Sequence, residues 1–420
     1  MKNCSKFSFF LASKKYDAYS VTFSLIATIL GASSVIGLIE ESANIGLPAL
    51  WWLFAGSIGL AVLYLIISKI NIENYYSISE FFGNVYGESY RRLSASLIVI
   101  AWTGIISAQY VAMGKVFEVI LNLNPSTGII LSALVVFLYT SVKGQSSVVF
   151  TDKLQLYIIL LGIMLIFFQI DSRLIKHAFY SAEFSDLFKF PVNSKFNYIS
   201  LITMLFAVGI TYIIGPDIYS RLLVAKDKNI AKKSVLLSSL IIFAVAILLV
   251  SIGINLRITL NIKKDFLYYF FSGQNIFIKF LFSVFVFCII GSSADTCVMT
   301  SSTLIVNDIF KIKEVSGNPV KYARISMLII SLVSIVIAVI SPFIIKNILW
   351  AYKMFSLSFF TPFICVFIFK LILSEKKLLM LNIFVILLFL TINFYNQSWS
   401  FIISSLIYFI IYILWSKLSK

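Results

Sequence analysis

Polar residues gather at three places inside the long apolar runs of this 420-residue chain. The densest is GlySerSerAlaAspThrCysValMetThrSerSerThr over 291–303. Helical spacing puts Ser292, Asp295 and Met299 on one face, with Ser293 and Thr296 beside them. Hydroxyls and a carboxylate are the oxygen donors that a hard cation takes. An ionised carboxylate at membrane depth costs roughly 2.5–3.5 kcal/mol or more, so Asp295 requires a partner, an ion or a wet cavity. The second set is AlaThrIleLeuGlyAlaSerSerValIleGlyLeuIleGluGlu over 27–41. Its small residues Gly31, Ser33, Ser34 and Gly37 serve either close helix packing or a broken helix that bares its carbonyls. The third set is Gly209, Thr211, Tyr212, Gly215 and Pro216, followed by Asp217 and Arg221. Proline removes an amide donor and disrupts the preceding turn, which predicts a bend near Pro216.

The elements that carry these residues are membrane spans. The chain is 60% hydrophobic and 12% charged, against about 45–50% apolar and about 25% charged in soluble domains. A spanning helix needs about 20 mostly apolar residues. That ruler gives twelve spans, near 19–40, 47–69, 92–121, 126–142, 150–170, 197–216, 234–255, 276–309, 324–345, 348–370, 378–395 and 399–416. Lys and Arg number 23 in one alternate set of joints and 9 in the other. By the positive-inside rule the richer set, which includes Arg221, is cytoplasmic, and both termini lie inside a plasma or inner membrane. Lys115, within the third span, either snorkels or pairs with Glu118 three residues on.

Other chemistries are poorly supplied. One histidine, His177, falls in a polar joint, and Cys4, Cys288, Cys297 and Cys365 form no CxxC pair. No GxxxxGK[ST] phosphate loop occurs, which excludes ATP-driven transport, and no ring of like charges marks a channel filter. The apolar stretch at Phe7–Ala12 is too short for a secretory signal. A formal net charge of +16 is spread through the joints, so the lipid bilayer and not nucleic acid is the expected partner. No enzyme activity, no cofactor and no metal other than a coupling ion is expected.

Spans one and six, the two imperfect ones, stand five apart. Many transporters consist of two inverted five-helix repeats whose first helices are both discontinuous and hold the substrate at the midplane. The reading is therefore an all-α polytopic membrane protein with a five-plus-five inverted-repeat core. It divides into an N-terminal segment (1–18), a first repeat (19–170), an external loop (171–196), a second repeat (197–370) and two additional helices (371–420).

Several motifs in order give a resemblance to the sodium:solute symporter family, from about Phe9 to Leu371. Residues 27–37, with Gly46 beyond, resemble the family's first core helix. AlaGlnTyrValAlaMetGlyLys (108–115) resembles the third, and PheThrAspLysLeuGln (150–155) the joint before the fifth. TyrIleIleGlyProAspIleTyrSerArg (212–221) is similar to the sixth helix and its exit, and SerSerAlaAspThr (292–296) with ValAsnAspIlePhe (306–310) to the family's signature at the eighth. The resemblance implies the fold of the leucine transporter and sodium-coupled symport of a small organic solute by alternating access. It also implies a sodium site made of the carbonyls of Ala27, Leu30 and Ile289 and the hydroxyls of Ser292 and Ser293. Ser34, Tyr212 and Pro216 fall at solute-contacting or gating positions. Val208 stands where proline symporters carry a tryptophan, which argues against proline. Family members usually begin with one more helix, and its removal from thirteen leaves the twelve counted here. Asp295 is read as an ion relay. Proton coupling through Asp295 is the alternative, and a sensor that has lost transport is a further one.

Overall fold

The computed structural model describes residues 6–69, 75–170, 172–260, 276–312 and 318–418. Lys2, Cys4, Lys263, Lys264, Lys313 and Lys420 of the segments discussed above lie outside them. Eleven of the described helices are long and apolar enough to cross a membrane, and one bent pair makes a twelfth span.

A short helix α1 (Lys6–Leu11) precedes the first span. That span is broken into α2 (Ala18–Ile29) and α3 (Leu38–Ile45), joined through a π-turn at Ser33–Gly37 and bent by 64°. The second span is α4 (Trp51–Ile66). A short α5 (Ile78–Tyr86) leads into α6 (Glu88–Leu121), α7 (Pro125–Lys143) and α8 (Gln145–Phe167), and α9 (Ser172–Tyr180) lies in the long joint. The sixth span is α10 (Tyr198–Ile214) and α11 (Pro216–Leu222). It is followed by α12 (Lys228–Leu260), α13 (Ile276–Leu304) with a π-turn at Ile305–Ile309, α14 (Pro319–Ile340) and α15 (Ile344–Phe367). Helices α16 (Glu375–Tyr395) and α17 (Ser400–Lys417) complete the set. At 1.5 Å per residue the 34 residues of α6 extend about 50 Å, well past a hydrocarbon core of about 30 Å. This accounts for the excess length of the third run.

Two groups of helices result. Helix α4 packs on both α10 and α12, and α12 also lies along α2 and α3. Small residues set the spacing. A Cβ on Gly59 would lie 2.3 Å from the Gly209 carbonyl oxygen, and one on Gly253 would lie 1.9 Å from Ser42 Oγ. Ser57 and Ser239 donate to each other's carbonyls at 2.8 and 2.9 Å, a reciprocal pair between the second and seventh spans. The other group is built on α6, which packs against α7, α13, α14 and α15. Asn382 of α16 donates to the hydroxyls of Tyr90 and Tyr408 at 3.2 and 3.1 Å, which fastens the last two helices to it.

The two imperfect spans run antiparallel and are tied at both ends. Tyr16, just before α2, accepts from Lys226 N at 3.0 Å and donates to the Val224 carbonyl at 3.3 Å, just after α11. At the opposite end Asn193 Nδ2 donates to the Ile45 carbonyl at 2.6 Å, and Lys195 Nζ to Asn44 at 2.8 Å. Asn197, two residues after Lys195, caps α10 by accepting from Ser200 N at 2.9 Å. Gly46 ends α3 at φ +77°, with the Leu187 carbonyl where a Cβ would stand, so only glycine fits there.

The bend expected near Pro216 is present, and one of the two alternatives for Lys115 is removed. The break in the sixth span falls at Gly215, whose extended backbone (φ −61°, ψ 132°) makes Pro216 the first residue of α11; proline fits that position because its missing amide is not needed there. This interruption bends the span less than the first one. Lys115 and Glu118 form no ion pair, and Lys115 is half-buried.

Candidate ion and solute site

The helical bonds of α2 end at Leu30, whose amide reaches Ile26 while its ψ of 56° turns the chain away. The break brings Gly31 so close to α13 that a Cβ there would lie 2.3 Å from Ser293 Oγ. Backbone groups freed by a break need partners, and side chains supply them. Gln109 of α6 accepts from Ala32 N at 3.2 Å. Ser292 donates to the Ala27 carbonyl at 2.8 Å and lies 3.1 Å from that of Ile289, and Ser293 donates to Thr28 O at 2.7 Å. Four of the five residues expected around an ion, Ala27, Ile289, Ser292 and Ser293, therefore meet where α2 crosses α13. Leu30 sits at the end of the same turn, and the carbonyl that engages Ser293 belongs to Thr28. Buried carbonyl and hydroxyl oxygens without a net charge are what a desolvated sodium ion needs.

A small cavity of about 20 Å³ lies beside this crossing, room for about one water. Ser34 and Tyr212 line it together with Gln109, Asp217, Ser293 and Tyr352. Tyr212 is held by glycine: a Cβ on Gly56 would lie 2.7 Å from its ring. Pro216 lines a separate cavity with Phe10, Tyr76 and Gln145, away from Ser34 and Tyr212. A third cavity, about 60 Å³ and mostly apolar, is lined by Ser33, Glu41, Trp52, Phe196 and Leu349, which places Glu41, the second of the two glutamates at the end of the 27–41 run, on its wall.

Beside the serine crossing lies a charged group in which the sequence assigned a site role to Asp295 alone. Arg221, counted above as a cytoplasmic loop charge, is fully buried. It pairs with Asp152 of α8 at 3.3 Å, and both side chains are 0% exposed. Its Nε donates to Thr28 at 3.0 Å and its Nη2 to Thr296, while Ser24 donates to Asp152. Removing Arg221 from the loop count leaves the charge bias in place. Asp295 Oδ1 accepts from Thr296 at 3.3 Å, and its other oxygen is buried without a hydrogen-bond partner. Tyr139, which donates to the Gly291 carbonyl at 2.9 Å, stands beside it. The signal for this group was in the sequence, since a Thr-Asp pair at the head of an apolar run and an Arg one turn after a broken helix are both costly in lipid.

Two spans broken within their length, five spans apart and antiparallel, with oxygen donors at the crossing, define an inverted-repeat secondary transporter. Comparisons with known proteins agree. A model of the sodium:solute symporter family matches residues 9–264, and the chain belongs to that family. The Sodium/proline symporter 2 of Staphylococcus saprophyticus is 24% identical over 79% of this chain and 69% of its own. A Sodium/glucose cotransporter of Vibrio parahaemolyticus is 28% identical over 37% of this chain and 29% of its own. Among solved structures, a Na+-coupled sialic acid symporter in a substrate-bound outward-open state superposes with a TM-score of 0.82 at 15% identity. That match covers 99% of this chain and 93% of the other. A nucleobase-cation-symport-1 family transporter in a closed conformation gives 0.60 at 10% identity, over 98% and 94%. The fold and the multi-pass membrane class expected from the sequence are thereby established.

Proposed function

We propose that this protein carries a small organic solute across the membrane together with sodium, with the ion at the crossing of α2 and α13 and the solute among the residues that line the small cavity beside it, which widens to admit it. The observation that carries this reading is the pair of hydroxyls of Ser292 and Ser293 engaging carbonyls at the end of a broken helix. The ion ligands are Ala27, Leu30, Ile289, Ser292 and Ser293. Ser34 and Tyr212 contact the solute, and Pro216 shapes the break below them. Asp295, with Asp152 close by, relays the ion onward. The bundle of spans one, two, six and seven rocks against the remaining helices around this site, and the basic joints face the cytoplasm of a plasma or inner membrane, together with both termini.

Coupling requires only that ion and solute each prefer one conformation, by roughly 1–3 kcal/mol for modest coupling. An inside-negative potential adds about 2.3 kcal/mol per positive charge per 100 mV. The test compares thermal unfolding in sodium and in potassium at equal ionic strength. A ligand of the folded state raises its stability by RT ln(1 + [L]/Kd). Wild type should be stabilised by sodium and the Ser292→Ala/Ser293→Ala double variant should not. Equal melting of wild type in both salts refutes the site. A stabilisation that follows pH instead, and disappears in Asp295→Asn, establishes proton coupling.

A further inference from the structure

Among the described residues, one charged residue stands on the wall of the central cavity, the one beside the serine crossing. Asp217 lines it, and its Oδ1 is buried without a hydrogen-bond partner. It follows Pro216 at the start of α11, beside its own amide and that of Ile218, so the sixth-span break fixes its position. No Lys or Arg among the described residues lines this cavity. Arg221, one turn along α11, is engaged with Asp152, Thr28 and Thr296, and Lys353, beside Tyr352 in α15, is not on the wall. The remaining lining is hydroxyl, amide, thiol and apolar, including Ser34, Gln109, Thr211, Tyr212 and Cys297.

Formal charge gives the same direction. The buried group around the two breaks contains Asp152, Asp217 and Asp295 against Arg221, three carboxylates and one guanidinium. A single sodium ion at the serine crossing leaves one negative charge; Asp217 and Asp295 are the two carboxylates without an ion-pair partner, and of these Asp217 is the one that lines the cavity. A solute anion placed there would stand within a few ångströms of Asp217 in a medium that screens poorly, with no cation among the described wall residues to receive it.

We infer that the transported solute carries a cationic nitrogen, as an amine, a quaternary ammonium or a zwitterion, which pairs with the Asp217 carboxylate in the central cavity. This rests on the symport reading above and narrows it. Simple carboxylates and uncharged polyols are excluded. Ser34, Tyr212 and Gln109 supply neutral hydrogen bonds to the rest of the molecule.

The experiment uses the full chain in lipid nanodiscs, with thermal unfolding in sodium or potassium and three sets of probes. The first set is methylammonium, ethanolamine, choline, glycine betaine and proline; the second is lactate and succinate; the third is glycerol and glucose. At least one nitrogen cation should stabilise wild type in sodium, and neither of the other sets should. In Asp217→Asn the apparent Kd for that probe should weaken about 10-fold or more, in Asp217→Glu by less, and both variants should keep the sodium response that shows them folded. Stabilisation by the carboxylates or polyols, or an unchanged Kd in Asp217→Asn, overturns the inference. So does an intact sodium response with no effect from any nitrogen cation. Loss of the sodium response in Asp217→Asn assigns the carboxylate to the ion and overturns it as well. A wild type that ignores sodium overturns the symport reading itself, and the two failures are thereby distinguished.

Discussion

The two broken spans solve one problem by different means. In the first, the chain turns through 64°, and the freed backbone groups are satisfied by neutral side chains from other helices: Gln109, Ser292 and Ser293. In the sixth, the interruption is a single residue, Gly215, and charges stand directly after it, Asp217 and then Arg221. A break lined with carbonyls and hydroxyls suits a bare cation, because it offers oxygen without fixing a charge that would hold the ion too strongly. A break flanked by carboxylate and guanidinium fixes charge in the protein whether or not a ligand is present, and a partner must be built in. Asp152 is that partner for Arg221.

If this contrast holds, the largest effect comes from unpairing the charge. Arg221→Ala leaves Asp152 buried alone and should lower stability by about 3–5 kcal/mol, read as a large drop in melting temperature. The double replacement Asp152→Leu/Arg221→Met should recover most of it. A melting temperature unchanged in Arg221→Ala would show that the pair contributes nothing.

At the first break the expected losses are steric and smaller. Gly31→Ala places a methyl against Ser293 Oγ, at a cost of about 1–3 kcal/mol and with a weakened sodium response. Adding Ser293→Ala should relieve part of the steric cost without restoring the ion response. If the two substitutions are simply additive, the close approach is not the cause. Gln109→Leu leaves the Ala32 amide unpaired and should cost about 1–2 kcal/mol. Hydrogen exchange at residues 30–34 should rise in that variant, and an unaltered exchange pattern counts against the bond.

The smallest effect lies in the joint between the repeats. The Ser194 hydroxyl beside Asp186 holds its carboxyl below the usual carboxylate range. A lowered value means the contribution is present above the unfolded pKa of about 3.9 and is lost as pH falls through the folded value. Trp51, stacked on Phe190 and donating to the Pro191 carbonyl at 3.2 Å, reports on this joint. In a background with the other tryptophans replaced, its emission should shift below about pH 4, and in Ser194→Ala the shift should begin at higher pH. Emission indifferent to both would separate Asp186 from the joint's order.

Much of this architecture is legible in the amino-acid order because lipid punishes deviation. An apolar run that carries Gly31, Ser33 and Ser34, or Gly215 and Pro216, stands out against its neighbours, and span counting is helped by the cost of every polar side chain. Partners across the bundle are less legible. Arg221 counts as a loop charge in any one-dimensional reading, since nothing near it in sequence announces Asp152, 69 residues earlier. Gln109 lay in a recognised motif, yet its task of satisfying Ala32 depends on a crossing that only three dimensions define. The bend of the sixth span was expected near Pro216 and falls there, with the extended backbone adopted by the residue before the proline.

The ties at the two ends of the broken spans limit how the molecule can rearrange. Asn193 grips the end of α3 and Asn197 begins α10, so four residues bridge the two helices, at most about 14 Å when fully extended. At the other end Tyr16 and the strand-like turn at Val224–Lys226 share backbone bonds. Linked this way, the first and sixth spans behave as two bars of one frame, unable to swing apart from each other. Any tilting motion then has to slip between that frame and α13, and the bonds it must exchange there are those from Ser292 and Ser293.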